Sequence, residues 1–194
     1  MRHLDIDETV TDWFVAHRSP AWTDAMHAIT TVGNTLAMTA IALIATVGWA
    51  IRREPVRALT VLLGSVVGYV VMVGLKHLFG RDRPPAPIRL VDIDTYAFPS
   101  GHAMMSAIVL GLVAVTVCRS WMTMIAVVAS ALIGVSRVYL GVHWMTDVLA
   151  GWTFGALWVA GVSAVPAVRR AVRGARRPAA SASATSRKAP PPTR

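Results

Sequence analysis

Two residues suited to nucleophilic chemistry lie four positions apart in the second half of the sequence. If this segment is helical, His143 and Asp147 share one face. The aspartate would then accept a hydrogen bond from Nδ1 of the imidazole, which fixes the tautomer and leaves Nε2 free as a nucleophile. A pair with this spacing is more often a structural hydrogen bond than a catalytic one. It therefore indicates catalysis only in combination with other residues.

A second group is the stretch Pro99-Ser100-Gly101-His102, which directly precedes an apolar segment. Ser100 is a good helix N-cap, and Gly101 lets the backbone approach a ligand closely. We therefore expect His102 in the first turn of a helix whose free N–H groups and dipole favour an anion. A histidine there can carry a proton to or from that anion. The alternative is a simple cap followed by a core histidine.

Three cations, Lys76, Arg83 and Arg137, lie beside apolar segments. Taken alone, Lys76 and Arg83 are typical of side chains that reach back to a membrane surface. Arg137 lies at the end of an apolar segment, where an unpaired charge is costly. If the three converge with a helix N-terminus and two histidines, they would surround the oxygens of a phosphoryl group, which suits the arginine fork.

The composition indicates a membrane protein. Of the 194 residues, 55% are hydrophobic and 15% are charged, and the mean hydropathy is +0.54. Apolar residues in long blocks with few charges are typical of membrane-spanning helices, which need about 20 residues each. The candidate spans are about 35–51, 58–79, 103–117, 121–140 and 146–165.

Residues 5–27 mix charged side chains with apolar ones at helical spacing. We predict an amphipathic helix at the membrane interface, anchored by Trp13 and Trp22 and broken at Ser19-Pro20. A helix packed on the outside of the bundle is an equally good interpretation.

The sequence therefore predicts an all-α fold: an integral membrane helical bundle of about five transmembrane helices with an N-terminal amphipathic interfacial helix. Residues 1–172 would form the membrane-embedded domain. Residues 173–194, rich in Ala, Ser, Pro and basic side chains, would form a disordered basic tail. The tail either lies on anionic lipid headgroups or is simply solvated.

The net charge of +9 is distributed as a topology signal, which argues against nucleic-acid binding. Eight of the 19 basic residues follow Pro166, and the turn 52–57 and Arg119 fall on the same side of the predicted bundle. Short basic loops mark the cytoplasm, so the predicted chemistry lies on the opposite side and the C-terminus in the cytoplasm. We interpret Arg81, Arg83 and Arg89, on the opposite side, as substrate ligands. One cysteine, Cys118, excludes a disulfide within the chain.

Taken together, these groups resemble the type 2 phosphatidic acid phosphatase family of membrane lipid phosphatases, which shares its site with vanadium haloperoxidases. The family pattern is Lys-x6-Arg-Pro, then Pro-Ser-Gly-His, then Ser-Arg-x5-His-x3-Asp. The matching positions are Lys76, Arg83-Pro84, Pro99-Ser100-Gly101-His102, Ser136-Arg137, His143 and Asp147. Three motifs in the family order make the resemblance specific, and it extends over about residues 13–165.

The resemblance implies a role for each matching residue. His143 would attack phosphorus and become a phosphohistidine, with Asp147 orienting it, and His102 would act as general acid and then base. The implied phosphate ligands are Lys76, Arg83, Ser100, Gly101 and Arg137. No metal or other cofactor is implied, in keeping with a sequence that has no carboxylate cluster for magnesium.

The resemblance also implies an activity and a location. We expect a lipid phosphate phosphatase in a bacterial plasma membrane, acting on the extracytoplasmic side. Undecaprenyl or another polyprenyl diphosphate is the leading substrate, ahead of phosphatidylglycerol phosphate and phosphatidic acid. A lipid phosphotransferase and a non-catalytic lipid-binding protein are the alternatives, and a haloperoxidase fits poorly because those enzymes are soluble. Bacterial members usually have six spans, so this would be a five-span variant or a chain whose first span precedes Met1.

Overall fold

The computed structural model describes residues 4–176, and each regular element in that range is helical. The all-α prediction is confirmed. The helices are α1 (Asp5–Ala16), α2 (Pro20–Val32), α3 (Thr35–Ile51), α4 (Pro55–Phe79), α5 (Gly101–Val117), α6 (Ser120–Tyr139), α7 (Met145–Ala164) and α8 (Pro166–Arg176), with a short 3₁₀ turn at Ala86–Ile88 in the loop between α4 and α5.

Helices α3 to α7 occupy the five predicted apolar segments. Within the described residues, α4, α6 and α7 are long and apolar enough to cross a membrane, and α2 with α3, bent by 45°, qualifies as a fourth crossing. Helix α5 has 17 residues and is shorter than a usual span. Length and composition therefore support three or four crossings, where the sequence predicts about five.

Helix α5 is the centre of the bundle because it is buried on several faces. It packs against α3, α4, α6 and α7. Ile108 and Leu112 are fully buried and lie against Gly68 and Gly64 of α4. A helix that is apolar all round belongs in a core rather than at a surface. This position holds the N-terminus of α5 firmly in place.

Helices α1 and α2 pack on the outside of the bundle, α1 against α6 and α7 and α2 mainly against α6. Asp7 and Thr11 of α1 are buried. Trp13 and Trp22 remain 56% and 61% exposed, so they are available as interfacial anchors. The segment therefore packs on the outside of the bundle, as one interpretation predicts, and leaves both tryptophans exposed, as the interfacial interpretation requires.

The three segments predicted to carry chemistry meet at one end of the bundle. The loop between α4 and α5 is joined to the turn after α6 by a hydrogen bond from Leu90 N–H to the Leu140 carbonyl oxygen. Arg18 follows α1 and donates to the carbonyl oxygens of Tyr139 and Ile88. These bonds fix the loop and the turn relative to each other.

The basic residues of the turn 52–57, Arg119 and helix α8 lie at the opposite end. Arg57 donates to the Ala171 carbonyl oxygen in α8 and lies 4.7 Å from the ring centre of Trp49. Helix α8 continues to Arg176, into the segment predicted as a disordered tail. The rest of that predicted tail, 177–194, lies outside the described residues.

We predict that Gly151→Ala separates α5 from α7 and destabilises the protein. A Cβ at this position would lie 2.8 Å from the Ser100 carbonyl oxygen and 3.0 Å from the Ala103 Cβ. The backbone of α5 cannot move away without disturbing its packing, so we expect a loss of about 1–3 kcal/mol in the free energy of unfolding. The measurement is denaturant unfolding in detergent, followed by circular dichroism.

Gly161→Ala on the same helix is the matched control. Apart from the neighbouring backbone of α7 itself, no heavy atom of the described residues lies within 4 Å of its Cβ position. Alanine favours helices over glycine by up to about 1 kcal/mol, so this variant should be as stable as the parent or slightly more so. Equal stability of the two variants would refute the proposed close contact.

Candidate active site

The start of α5 is fixed against the start of α7. Ser100 N–H donates to the Asp147 backbone carbonyl oxygen at 2.9 Å, and Gly151 of α7 lies directly under the Ser100 carbonyl. The predicted anion-binding helix end and the predicted His–Asp pair therefore share one wall. Neither motif indicates this contact by itself.

Ser100 occupies the N-cap position, as predicted, but its side chain does not cap the helix. Its Oγ is buried and has no hydrogen-bond partner among residues 4–176. Gly101 begins the helix, and Cε of Lys76 lies 3.6 Å from the position that a Cβ would take at Gly101. A buried hydroxyl, a free helix N-terminus and a lysine thus lie together, an arrangement suited to an anion.

His143 lies in the turn between α6 and α7 and is 2% exposed. Its Nε2 is 3.2 Å from Nη1 of Arg83. Because a guanidinium only donates hydrogen bonds, Nε2 must carry the lone pair and Nδ1 the proton. This is the tautomer that the sequence analysis requires of a nucleophile.

The contact between His143 and Asp147 is looser than predicted. Nδ1 lies 3.5 Å from Oδ2 of Asp147 and makes no hydrogen bond with any described residue. Oδ2 instead accepts from Trp144 N–H at 2.9 Å. Catalytic hydrogen bonds are often long without substrate and tighten when it binds, so the pair is close enough to act together.

Burial, followed by the positive charges of Arg83, Arg137 and Lys76, lowers the pKa of His143 well below its usual value. The ring is therefore neutral over the physiological range, and neutral imidazole is the form that can attack phosphorus. Both His143 and His102 lie close enough to these three cations to interact with them electrostatically.

Arg83 is half-buried and held in place by backbone oxygens. Its Nη1 donates to the Val142 carbonyl at 2.6 Å, and its Nε donates to the Thr95 carbonyl at 2.6 Å. Burial lowers the pKa of Arg83 to about 10, with Asp147 opposing the shift and Arg89 adding to it. The side chain remains charged at neutral pH.

Arg137 and Lys76 also use neutral oxygens as partners. Arg137 is 2% exposed, its Nη1 donates to Oγ1 of Thr30 at 2.6 Å, and its Nε has no hydrogen-bond partner in the described range. Lys76 Nζ donates to the Tyr96 carbonyl oxygen. Within residues 4–176, none of the ion pairs involves Lys76, Arg83 or Arg137. Partly buried cations without a carboxylate favour an anionic ligand.

His102 lies in the first turn of α5, as predicted. Its Cδ2 is 3.3 Å from the position of a Cβ at Gly33, so the end of α2 packs against this ring. The structure therefore brings all eight predicted site residues to one end of the bundle. They are Lys76, Arg83, Ser100, Gly101, His102, Arg137, His143 and Asp147.

One of the expected substrate ligands, Arg81, does not fit that role. Arg81 is 3% exposed, and its guanidinium is bound by Asp7 and Asp147. Arg89 donates from Nε to the Pro84 carbonyl oxygen, which holds the loop. Among these three arginines, Arg83 is the one whose side chain lies beside the predicted nucleophile, His143.

Sequence reasoning missed three residues around the site: Asp7, Thr30 and Thr146. Asp7 lies in the first turn of α1, where an acidic residue has a ready local explanation as a partner of the helix dipole. Thr30 and Thr146 are ordinary helix residues in sequence. Their contacts join distant elements, and no local pattern signals them.

Comparison with known proteins agrees with this geometry. Residues 56–171 match the PAP2 superfamily. The chain is 33% identical over 161 residues to phosphatidylglycerophosphatase B of Bacillus subtilis, covering 78% of each protein. It is 31% identical over 113 residues to an undecaprenyl-diphosphatase of Sulfolobus acidocaldarius, covering 54% of this chain and 52% of that protein.

A solved structure has the same architecture. The crystal structure of a transmembrane PAP2-type phosphatidylglycerolphosphate phosphatase from Bacillus subtilis superimposes with a TM-score of 0.75 at 31% identity. The match covers 81% of this chain and 82% of that one. The resemblance seen in the three motifs is confirmed, and the chain belongs to the PAP2 superfamily.

Proposed function

We propose that this protein hydrolyses the phosphate of a membrane lipid through a covalent phosphohistidine at His143. The observation that carries the proposal is the environment of the Nε2 atom of His143. This atom belongs to a neutral, buried imidazole and lies beside Arg83, in a group of cations that have no carboxylate partner within residues 4–176. Such a group binds the phosphoryl oxygens and stabilises the charge that develops on them.

In the first step, Nε2 of His143 attacks phosphorus and the bond from phosphorus to the lipid oxygen breaks. His102 donates a proton to that leaving oxygen. The imidazole of His143 becomes positively charged, and the carboxylate of Asp147 balances that charge. The phosphoryl oxygens are held by Lys76, Arg83, Arg137, Ser100 and the N–H of Gly101.

In the second step, a water molecule attacks phosphorus and the bond from phosphorus to Nε2 breaks. His102, now the free base, takes the proton from that water. Inorganic phosphate leaves, and both histidines return to their starting states. No proton or charge is left over at the end of the cycle.

A groove beside the site supports a lipid substrate. It runs between α3, α4 and α5 and is almost entirely apolar. Its lining includes Met105, one turn from His102, and Tyr69, two turns from Lys76. A hydrocarbon tail in this groove would place its headgroup at the cations.

Phosphatidylglycerol phosphate is our first candidate substrate, because the Bacillus subtilis relative, which matches this chain over 78% of its length, is named for that lipid. An undecaprenyl diphosphate is the second candidate, on the strength of the shorter match to an undecaprenyl-diphosphatase. The order differs from the sequence-based expectation. Both lipids combine a hydrocarbon tail with an anionic phosphate.

We further propose that the site faces the extracytoplasmic side of a bacterial plasma membrane. The turn 52–57, Arg119 and α8 lie together at the end remote from the site. Basic loops are retained in the cytoplasm, so the end with the site would face outward.

The first functional prediction concerns the nucleophile. Purified protein in detergent should release phosphate from phosphatidylglycerol phosphate or undecaprenyl diphosphate with EDTA present, and vanadate, which mimics the transition state, should inhibit it. His143→Ala should abolish turnover, and Arg137→Ala should reduce kcat about 100-fold or more. A strict need for divalent metal, or near-normal turnover in either variant, would reject the phosphohistidine mechanism.

The second functional prediction concerns the groove. Val66 and Val67 are adjacent on α4 and are 53% and 45% exposed, but only Val66 lines the groove. Val66→Trp should therefore lower activity on a long-chain lipid phosphate, because the indole ring fills the space for the tail. A short-chain analogue, which does not reach this space, should be hydrolysed normally. Val67→Trp is the control and should leave both activities unchanged. Equal behaviour of the two variants would exclude this groove as the tail site.

A further inference from the structure

A buried chain of charges extends from Asp147 away from the phosphate ligands. Nη1 of Arg81 donates to Oδ1 of Asp147, and Nη2 donates to Oδ2 of Asp7 at 2.7 Å. Both carboxylates are fully buried, and Arg81 is 3% exposed. One guanidinium thus joins the carboxylate beside the nucleophile to a carboxylate in the first helix of the chain.

The two aspartates occupy equivalent positions in their helices. Each is the third residue of its helix and accepts a hydrogen bond from the N-cap N–H. Asp7 accepts from Leu4 at 3.1 Å, and Asp147 accepts from Trp144 at 2.9 Å. Two helix N-termini therefore present their carboxylates to opposite edges of Arg81.

Asp7 is held from several directions. Thr146 donates to it from its backbone N–H at 2.9 Å and from its hydroxyl at 2.8 Å. Burial raises the pKa of Asp7, but the hydrogen bonds from Thr146, Leu4 and Arg81 outweigh that effect and lower it overall. Asp7 is thus a fixed negative charge, and helix α1 is anchored by it to α7.

We propose that Asp7 and Arg81 are positioning residues for the reaction at His143: Arg81 orients the Asp147 carboxylate, and Asp7 fixes Arg81 and offsets its positive charge. Arg81 holds Oδ1, which leaves Oδ2 facing Nδ1 of His143. A lone arginine would also neutralise Asp147 and weaken its support for a positive imidazole. The second carboxylate, Asp7, offsets the charge of Arg81, so the three groups together carry one negative charge.

This inference rests on the proposed function of His143, because it concerns the step in which that ring becomes positively charged. It assigns no contact with substrate to Asp7 or Arg81. Loss of the positioning should therefore lower kcat and leave KM almost unchanged, since the phosphate ligands stay in place. Small misplacements of a catalytic group can cost large factors in rate.

The test compares Asp7→Asn with Asp12→Asn, a change of the same charge at an exposed position on the same helix. We expect Asp7→Asn to lower kcat at least about 10-fold with KM within about 3-fold of the parent, and Asp12→Asn to change neither. The phosphohistidine trapped by rapid acid quench should form more slowly in Asp7→Asn. Asp7→Glu, which keeps the charge, should recover part of the rate.

Phe14→Ala controls for simple loosening of α1, because Phe14 holds α1 through apolar contacts, among them Tyr139, and carries no charge. If Phe14→Ala and Asp7→Asn lower the melting temperature and kcat equally, Asp7 only anchors the helix and the proposal fails. An unchanged kcat in Asp7→Asn also overturns it. If Asp7→Asn does not fold, Arg81→Lys decides: a single ammonium nitrogen cannot take the positions of both Nη1 and Nη2, so a normal kcat in that variant refutes the proposal.

The parent protein and His143→Ala, measured in parallel, test the proposed function separately. An inactive parent, or an active His143→Ala, would reject the phosphohistidine mechanism, and the positioning role would fall with it. An active parent with an inactive His143→Ala, together with a normal Asp7→Asn, would reject the positioning role alone.

Discussion

The site depends on the close contact between the N-termini of α5 and α7. A single backbone hydrogen bond joins Ser100 to Asp147, and Gly151 removes the side chain that would otherwise separate the helices. This contact puts the free N–H groups of one helix next to the carboxylate of another. Because α5 is buried on several faces, the position of its N-terminus is set by the whole core rather than by the loop before it.

The buried and half-buried cations at this end of the bundle fall into two groups, which differ in whether a carboxylate pairs with them. Lys76, Arg83 and Arg137 donate to neutral oxygens and form no ion pair within the described residues, which leaves their positive charge available to a phosphoryl group. Arg81 lies just two residues from Arg83 but is bound by two carboxylates. One sequence segment thus contains both a proposed phosphate ligand, Arg83, and the arginine that holds the carboxylate beside the proposed nucleophile. Residue type alone does not distinguish these roles.

The sequence predicts most of the fold and identifies the residues that gather in the candidate site, because apolar blocks and motif spacing are local features. His143 and Asp147 share a face by their spacing, and Ser100 is recognisable as an N-cap. The pairing of Arg81 with Asp7 spans 74 positions, so no local pattern reveals it. Likewise, the length of α5 suggests a short span, and only packing shows that it is the central helix. The unused hydroxyl of Ser100 also depends on tertiary context, since a serine at an N-cap usually bonds its own helix.

The anchoring of Asp7 has a consequence for how the protein is assembled. Its partner Thr146 lies 139 positions later in the chain, in the last long apolar helix. Helix α1 is synthesised before α7, so it cannot make this contact until α7 has been made. Until then, the earlier helices lie in the membrane without α7, and the cationic group lacks the wall that α7 provides. The pocket is therefore completed late in biogenesis, after most of the helices in the bundle have been inserted.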